Sequence, residues 1–302
     1  MSECRLIIHT ATYNRANLLD RLYNSLKAQT CKDFVWAVTD DGSTDNTKEL
    51  FDEWCKEDNG FKILYEKIPN GGKMRAINRA VENVSGDYIF FVDSDDYLTP
   101  NAVEMLKKWI PEIDNLENYV GVGCAIAFPN GEYIKGVPPK VDEKLGYVDA
   151  TNLERALYKL DADMREAYKI EVLKKYPFKV WDGEKFAPEQ ITLNEMALAG
   201  YKIRWHKDIL YIGDYLDDGL TKGSNRLLKN NPMGYAMMHN HMLKYQKGLI
   251  NRFKTAAQHI ALSIVGKNPS YIFQSNAKLL TLCALPYGML LAIRRKKQFK
   301  TF

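Results

Sequence analysis

The sequence lacks several features that would assign it to a well-defined class of protein. Its five cysteines (Cys4, Cys31, Cys55, Cys124 and Cys283) are scattered and never spaced as C-x-x-C. This pattern argues against a disulfide framework and against a zinc site, and it favours a reducing compartment. No Ser-His-Asp arrangement, P-loop or H-E-x-x-H motif is present, so nothing indicates a serine hydrolase, an NTPase or a metalloprotease.

Long apolar runs are also missing. The N-terminus passes from MSECR directly into LIIH, without the apolar region or the small-residue cleavage site of a signal peptide. The apolar stretch from Leu279 to Ile293 is shorter than the ~20 residues of a membrane-spanning helix, and it contains Pro286. We therefore expect a cytoplasmic protein that is neither exported nor anchored by a spanning helix.

Acidic residues are absent after Asp218, where about 14 Lys and Arg occur. The net charge of +4 thus combines an acidic body of about −10 with a basic tail of about +14. Such a tail predicts a polyanionic partner, a membrane surface in the first place and a nucleic acid in the second.

Short apolar runs alternate with helical patterns through the first half of the chain. LIIH, FVWAV, FKILY and YIFFV read as strands, and the segments between them have apolar residues at helical spacing. This alternation predicts an α/β fold, a Rossmann-like and mainly parallel sheet with helices on both faces. We expect a main domain over residues 1–225, with halves at 1–125 and 126–225, and a basic helical extension over residues 226–302.

Three carboxylates follow the fourth predicted strand, in the sequence YIFFVDSDD. Asp93, Asp95 and Asp96 repel one another unless water, a helix start or a cation compensates their charge. They could simply form the turn and cap the next helix. Their position directly after a buried parallel strand favours a site for one divalent cation, held by Asp93 and Asp95, that also bridges phosphate oxygens.

Other polar clusters are predicted at the same edge of the sheet. TYNR follows the first strand, TDDGSTDN follows the second, and NGGKMRAIN begins a helix with Lys73 and Arg75 near its start. A carboxylate facing a nucleobase or ribose suits a nucleotide pocket, and cations at a helix start suit an anion. Each cluster alone also fits an ordinary turn or a solvated surface.

Taken in order, these pieces resemble the nucleotide-diphospho-sugar glycosyltransferases of the A fold, in their inverting family 2. The resemblance covers residues 4 to 215 and rests on TYNR, SLKAQT, DFVWAVTDDGSTDNT, NGGKMRAIN and GDYIFFVDSDD. It implies a UDP-sugar donor, a D-x-D element that binds Mn or Mg, and a saccharide acceptor. The donor-binding residues it implies, together with those suggested by the loops, are Thr12, Tyr13, Asn14, Arg15, Asp40, Asp41, Lys73, Arg75, Asp93, Ser94 and Lys222.

The family also implies a catalytic base, the Asp of a Glu-Asp pair at the start of a helix. Here the matching stretch is APEQ, where Glu189 is present and Gln190 replaces the Asp. Because glutamine takes no proton, Glu189 is the candidate base, with Asp182 and Glu184 as reserves. Glu189 could equally be a first-turn residue that the helix dipole favours. The late loop GDYLDDG has no His, which leaves Asp214, Asp217 or Asp218 as a third metal ligand.

The basic tail, with RRKK after its apolar stretch, is typical of a segment that lies in a membrane interface. A core helix is the alternative. These features predict a peripheral enzyme at the inner face of the cell membrane. Its acceptor would be a lipid-linked saccharide of a cell-surface polysaccharide or a lipooligosaccharide, and no nucleic acid is expected. Two other functions stay open, an inactive carbohydrate- or polyanion-binding relative and a sugar nucleotidyltransferase.

Overall fold

The structure, a computed structural model, describes residues 5–134, 136–160, 164–213 and 224–300. The chain forms two compact units. The first comprises Met1–Pro177 and Leu193–Asp214, and the second comprises Phe178–Thr192 and Tyr215–Phe302. The domain bounds predicted at residue 225 stay a prediction, because compactness within one chain does not test which part folds alone.

Within the described ranges, the strands join in one sheet. They are β1 (Leu6–Thr12), β2 (Val35–Asp40), β3 (Lys62–Lys67), β4 (Tyr88–Phe91), β5 (Tyr97–Leu98), β6 (Tyr119–Ala127), β7 (Tyr147–Ala150), β8 (Met164–Lys169) and β9 (Lys202–Ile212). The order across the sheet is β3-β2-β1-β4-β8-β6-β9-β5, with β7 paired to β9.

The sheet is parallel where the alternating pattern predicts it. β3, β2, β1 and β4 all run in the same direction, and this half carries the polar loops described above. β8 is antiparallel to both β4 and β6, and β5 and β7 are antiparallel to β9. The predicted α/β fold is therefore confirmed, and the second half makes the sheet mixed.

The helices of the described residues follow the strands in chain order. They are α1 (Ala16–Lys27), α2 (Thr47–Trp54), α3 (Lys73–Asn83), α4 (Ala102–Trp109), α5 (Ile170–Lys175), α6 (Gln190–Leu198), α7 (Ser224–Asn230), α8 (Pro232–Met242), α9 (Leu249–Val265) and α10 (Lys278–Gln298). Short 3-10 helices occur at Ile110–Glu112, Asn152–Tyr158 and Pro269–Gln274. The predicted helical C-terminal region is thus confirmed.

The main core lies on one face of the parallel strands. Alternate residues such as Leu6 and Ile8 of β1 and Trp36 of β2 are buried in one cluster with apolar side chains of α1, α2 and α4. The residues between them, such as Ile7, point to the opposite face because side chains alternate along a strand. α3 contacts β1 and β2 without joining that cluster, so the parallel strands have helices on both faces.

The second unit has its own small core. Ala256, Ala257 and Ile260 of α9 are buried against Ala284 of α10 and Leu243. None of the helices in the described ranges combines the length and the hydropathy needed to cross a membrane.

We predict that Gly121→Ala destabilises the first unit. A Cβ at Gly121 of β6 would lie 2.2 Å from the carbonyl oxygen of Ala167 on β8, which a paired strand cannot relieve by a rotamer change. Overpacking of this kind costs about 1–3 kcal/mol, and we expect a lower midpoint of thermal unfolding. The control is Gly131→Asn, where nothing lies within 4 Å and asparagine tolerates the φ of +84°. Equal midpoints for both variants would contradict this prediction.

Candidate active site

The candidate site begins at the carboxyl ends of three neighbouring strands. Thr12 of β1 pairs with Asp40 of β2, and His9 of β1 pairs with Phe91 of β4. Because the strands are parallel, the loops that follow them leave the sheet at the same edge. The structure therefore brings the TYNR, TDDGSTDN and DSDD segments to one edge.

The first two of these loops are held together by hydrogen bonds. The Asn14 amide donates to the Ser43 hydroxyl at 2.9 Å, and the Asn14 side-chain oxygen accepts from the Thr44 amide at 2.7 Å. The Ala16 amide donates to the Asp45 carboxylate at 3.0 Å. Asn14 adopts a φ of 51°, a left-handed conformation that asparagine tolerates. The TYNR segment is thus fixed to the loop after β2.

Asp40 is buried and accepts two hydrogen bonds. Its carboxylate accepts from the Ser43 amide at 2.7 Å and from the Tyr65 hydroxyl at 2.5 Å. These bonds orient the carboxylate at the strand end. The predicted contact of Asp40 with a nucleoside stays a prediction, and further lone pairs of the two oxygens are compatible with it.

Asp41 connects the loop after β2 to the start of α3. Its carboxylate accepts from the amides of Gly71 at 2.7 Å and Gly72 at 2.8 Å and from the Asn70 side chain at 2.9 Å. Gly42 allows this close approach, because a Cβ there would lie 2.9 Å from the Asn70 nitrogen and its φ is +82°. Asp41 thereby sets the entry to the helix that carries Lys73.

Thr12 offers a buried polar atom at this edge. Its side chain is 3% exposed, and its hydroxyl has no hydrogen-bond partner among the residues that the structure describes. A buried hydroxyl without a partner is costly, so a polar ligand group that met it would stabilise the site. The adjacent Tyr13 is 47% exposed and presents an aromatic ring to solvent.

Asp93 lies between two cations. Its carboxylate oxygens are 2.7 Å from Nζ of Lys73 and 2.7 Å from Nη2 of Arg165. Burial opposes the charge of Asp93, but the Lys73 and Arg165 cations outweigh burial and hold the pKa of this carboxyl below its usual range. Asp93 is therefore a charged carboxylate with a fixed orientation.

Asp96 is the most buried of the three carboxyls and belongs to the same network. The Tyr211 hydroxyl donates to Asp96 at 2.6 Å and accepts from the Asp93 amide at 3.0 Å. Nη2 of Arg165 lies 3.9 Å from Asp96, and its guanidinium lies 4.8 Å from the centre of the Tyr211 ring. Burial, followed by the nearby Asp93 charge, raises the pKa of Asp96 to about 7.

Asp95 is only partly buried. Burial and the Asp93 charge raise the pKa of its carboxyl, while Arg15 and Lys73 favour the charged form. The backbone carbonyl of Asp95 accepts from the Arg21 guanidinium, which holds this turn against α1. The Asp95 carboxylate is thus partly exposed, in a place where its negative charge is disfavoured.

The remaining predicted donor residues are distributed unevenly. Arg75 lies in the first turn of α3 and donates to the Gly71 carbonyl at 2.7 Å, and Ser94 is 8% exposed. Lys222 lies outside the described residues, as do Asp214, Asp217 and Asp218. The binding roles of all these residues stay predictions.

The predicted base belongs to the second unit. Glu189 directly precedes α6, and the neighbouring Asp182 is exposed. Glu184 has a structural role, because its carboxylate accepts from the amides of Met233 at 2.8 Å and Gly234 at 2.7 Å at the start of α8. Of the two reserves, Glu184 is therefore occupied in holding a helix start, and the base role of Glu189 stays a prediction.

Sequence reasoning missed Arg165, Tyr211 and the environment of His9. The signal for Arg165 was a cation inside the buried strand MREAYK, which needs an anion nearby. Burial, followed by the Lys73 charge, lowers the pKa of His9 to about 3, so this ring is neutral and contacts the Thr39 hydroxyl at 3.1 Å. Only tertiary pairing identifies the anion that each cation meets.

The carboxylates fit a divalent cation in part. Oxygen ligands suit Mg or Mn, and a cation at Asp95 would relieve the repulsion that raises its pKa. Asp93 already contacts Lys73 and Arg165 through its two oxygens. Within the described ranges, no group of three or more His, Cys, Asp and Glu side chains is arranged to hold a metal ion. The donor set of this chain thus favours Asp95 as the main ligand.

Comparison with known families identifies the domain that carries this site. The profile of Glycosyl transferase family 2 matches residues 7–140, which include the three loops and both D-x-D carboxylates. The chain is a member of glycosyltransferase family 2. The resemblance noted from the motifs is therefore confirmed.

Curated relatives of this family 2 chain include glycosyltransferases of bacteria. Glycosyltransferase GlyG of Streptococcus pneumoniae is 27% identical over 221 residues, which cover 70% of this chain and 71% of GlyG. The GalNAc(5)-diNAcBac-PP-undecaprenol beta-1,3-glucosyltransferase of Campylobacter jejuni is 32% identical over 108 residues, 34% of each chain. Some relatives are much longer, and the match spans only 10–15% of three of them.

Solved structures show the same fold. TarS 1-349 of S. aureus in complex with UDP-GlcNAc has a TM-score of 0.60 at 18% identity, over 98% of this chain and 90% of that chain. The mannosyltransferase PcManGT of Pyrobaculum calidifontis, in complex with GDP-Man and Mn2+, has a TM-score of 0.57 at 16% identity, over 99% and 84% of the two chains. This family 2 chain thus has the A fold of glycosyltransferases.

We predict that Asp96→Asn changes how the stability of the metal-free protein depends on pH. The folded pKa of about 7 exceeds the unfolded value of 3.8, so between these values only the folded state retains the proton. Parent stability therefore falls as pH rises through this window and stays lower above it. The substituted asparagine carries no charge, so at pH 8 the variant should exceed the parent in free energy of unfolding by on the order of 2 kcal/mol.

Urea unfolding in EDTA at pH 5 and pH 8 measures this difference. The control is Asp208→Asn, an exposed carboxyl in β9, which should change stability little at either pH. An Asp96→Asn variant that is less stable than the parent by the same amount at both pH values would contradict the prediction.

Proposed function

We propose that this protein is an inverting glycosyltransferase that moves a sugar from a UDP-sugar to a hydroxyl of a saccharide acceptor. The observation that carries the proposal is the cluster of Asp93, Lys73 and Arg165 at the same sheet edge as the loops after β1 and β2. A nucleotide-diphospho-sugar needs both chemistries side by side, a pocket for the nucleoside and compensating charges for the diphosphate.

The nucleoside would bind at the loops after β1 and β2. The buried Thr12 hydroxyl would receive a polar group of the nucleoside, and the exposed Tyr13 ring would stack on the base. Asn14, Arg15, Asp40 and Asp41 would line this pocket. Lys73, Arg75, Ser94 and Lys222 would face the ribose and the diphosphate.

We propose that Asp95, with Asp93, holds a Mn or Mg ion. The ion, when bound, would neutralise the diphosphate leaving group. The pairing of Asp93 with Lys73 and Arg165 keeps this carboxylate ionised and oriented without an ion, and the raised pKa of Asp95 is the reason that it gains most from one.

Glu189 is the proposed base. Its carboxylate would take the proton of the acceptor hydroxyl while the hydroxyl oxygen attacks the anomeric carbon. The new carbon–oxygen bond forms as the bond to the diphosphate breaks, and the electron pair of that bond leaves with the diphosphate. A single displacement inverts the configuration at the anomeric carbon.

We propose a lipid-linked saccharide as the acceptor, in the assembly of a cell-surface polysaccharide or a lipooligosaccharide. The undecaprenol in the name of the Campylobacter relative supports this choice, although that match covers 34% of the chain. The enzyme would act in the cytoplasm at the inner face of the cell membrane. The basic, acid-free region after Asp218 supports this location.

We predict that UDP binds in the presence of Mn2+ and that Asp95→Asn weakens this binding at least tenfold. The substitution retains the shape of the side chain and removes the charge that would hold the ion. Isothermal titration calorimetry of UDP, with Mn2+ and with EDTA, measures the difference, and Asp208→Asn is the matched control at an exposed carboxyl.

Equal UDP affinities for the parent and Asp95→Asn would contradict the proposed ion site. Binding of GDP, CDP or dTDP without UDP would replace the proposed nucleotide. Absence of binding by all four would favour an inactive relative. Pyrophosphate release from UTP and a sugar phosphate would instead indicate a nucleotidyltransferase.

A further inference from the structure

Helix α10 has its small residues buried and its large apolar residues exposed. The buried side of the helix consists of Thr281, Ala284, Gly288 and Ala292, and it packs on α9. Gly288 is required there, because a Cβ would lie 2.7 Å from the Ile260 side chain. A helix that is exposed to water on one side normally has the opposite arrangement, with large apolar residues inward and polar residues outward.

The exposed apolar side chains form one stripe along α10. Their spacing of three, four and seven residues places them on one side of the helix, opposite the buried side. We call them the outward stripe: Leu279 (81% exposed), Leu282 (63%), Met289 (55%), Leu290 (65%) and Ile293 (55%). Over 15 residues the stripe is about 21 Å long. Contiguous apolar surface of this kind marks a contact with a partner or a membrane.

Cations border the outward stripe. Lys278 lies at its N-terminal end, and Arg294, Lys296, Lys297 and Lys300 are exposed at its C-terminal end. The sequence holds no acidic residue after Asp218 that could offset them. A second copy of the chain would place the same cations against each other, so charge disfavours a self-contact. An anionic lipid surface complements both the stripe and its border.

We infer that the outward stripe of α10 is a docking surface for an anionic lipid bilayer. The helix lies in the plane of the interface, with the leucines, Met289 and Ile293 among the acyl chains and the cations at the headgroups. No described helix can cross the bilayer, so this contact is peripheral. The inference rests on the proposed function for its purpose, because docking would bring the enzyme to a lipid-linked acceptor.

Vesicle co-sedimentation of the full chain tests this surface without donor or acceptor. We expect binding to vesicles of equal parts phosphatidylcholine and phosphatidylglycerol, and little binding to phosphatidylcholine alone. Leu282→Ser with Leu290→Ser should weaken the binding at least tenfold, because two apolar anchors are lost. Lys296→Gln with Lys297→Gln should weaken it too, and binding of the parent should fall as salt is raised.

The matched control is Leu145→Ser with Leu157→Ser. These leucines of the first unit are 60% and 69% exposed, close to the values for Leu282 and Leu290, so the control makes the same chemical change at similar exposure. It should bind vesicles like the parent. Unchanged thermal unfolding of both leucine variants would show that they fold.

Three results would overturn the inference. The parent does not bind anionic vesicles, or the Leu282 and Leu290 variant binds like the control, or the parent is a dimer that this variant makes monomeric without lipid. Loss of binding in the lysine variant alone would also count against the stripe, since charge would then suffice. UDP calorimetry on the same variants separates this outcome from failure of the proposed function, because nucleotide binding needs no membrane.

Discussion

The paired charges around Asp93 are the constraint on which the candidate site depends. Three carboxyl groups follow β4 within four residues, and their mutual repulsion would disfavour the turn. Lys73 and Arg165 each lie 2.7 Å from Asp93 and offset one charge, while the raised pKa of Asp96 removes most of another near neutral pH. Asp95 keeps an uncompensated part of the repulsion, and a cation-binding role follows from it.

The same network explains why distant parts of the sequence meet. Lys73 comes from α3, Arg165 from β8 and Tyr211 from β9, so the turn after β4 is held by elements that flank it in the structure. Asp41 sets the start of α3 through the amides of Gly71 and Gly72, and it thereby directs Lys73. The nucleoside loops and the charged turn are therefore coupled through one helix start.

Much of this arrangement can be predicted from the sequence, for physical reasons that differ by element. Strand and helix alternation predicts the parallel half of the sheet, and the rule that parallel strands end at one edge brings the three polar loops together. Arg165 and Tyr211 could not be predicted, because antiparallel pairing of β8 with β4 is a long-range contact that no local pattern encodes. The inverted burial of α10 was equally hidden, since an apolar pattern does not tell which side packs.

The central claim is that the chain transfers sugars with inversion, and proton NMR of donor turnover tests it most directly. The protein is incubated with Mn2+ and a panel of UDP-, GDP- and dTDP-sugars, with water as the acceptor, and the anomeric proton of the first sugar formed is followed. The account predicts release of UDP and a sugar of the opposite anomeric configuration, and loss of turnover in Asp95→Asn. A sugar of retained configuration, or turnover that Asp95→Asn does not change, would contradict it.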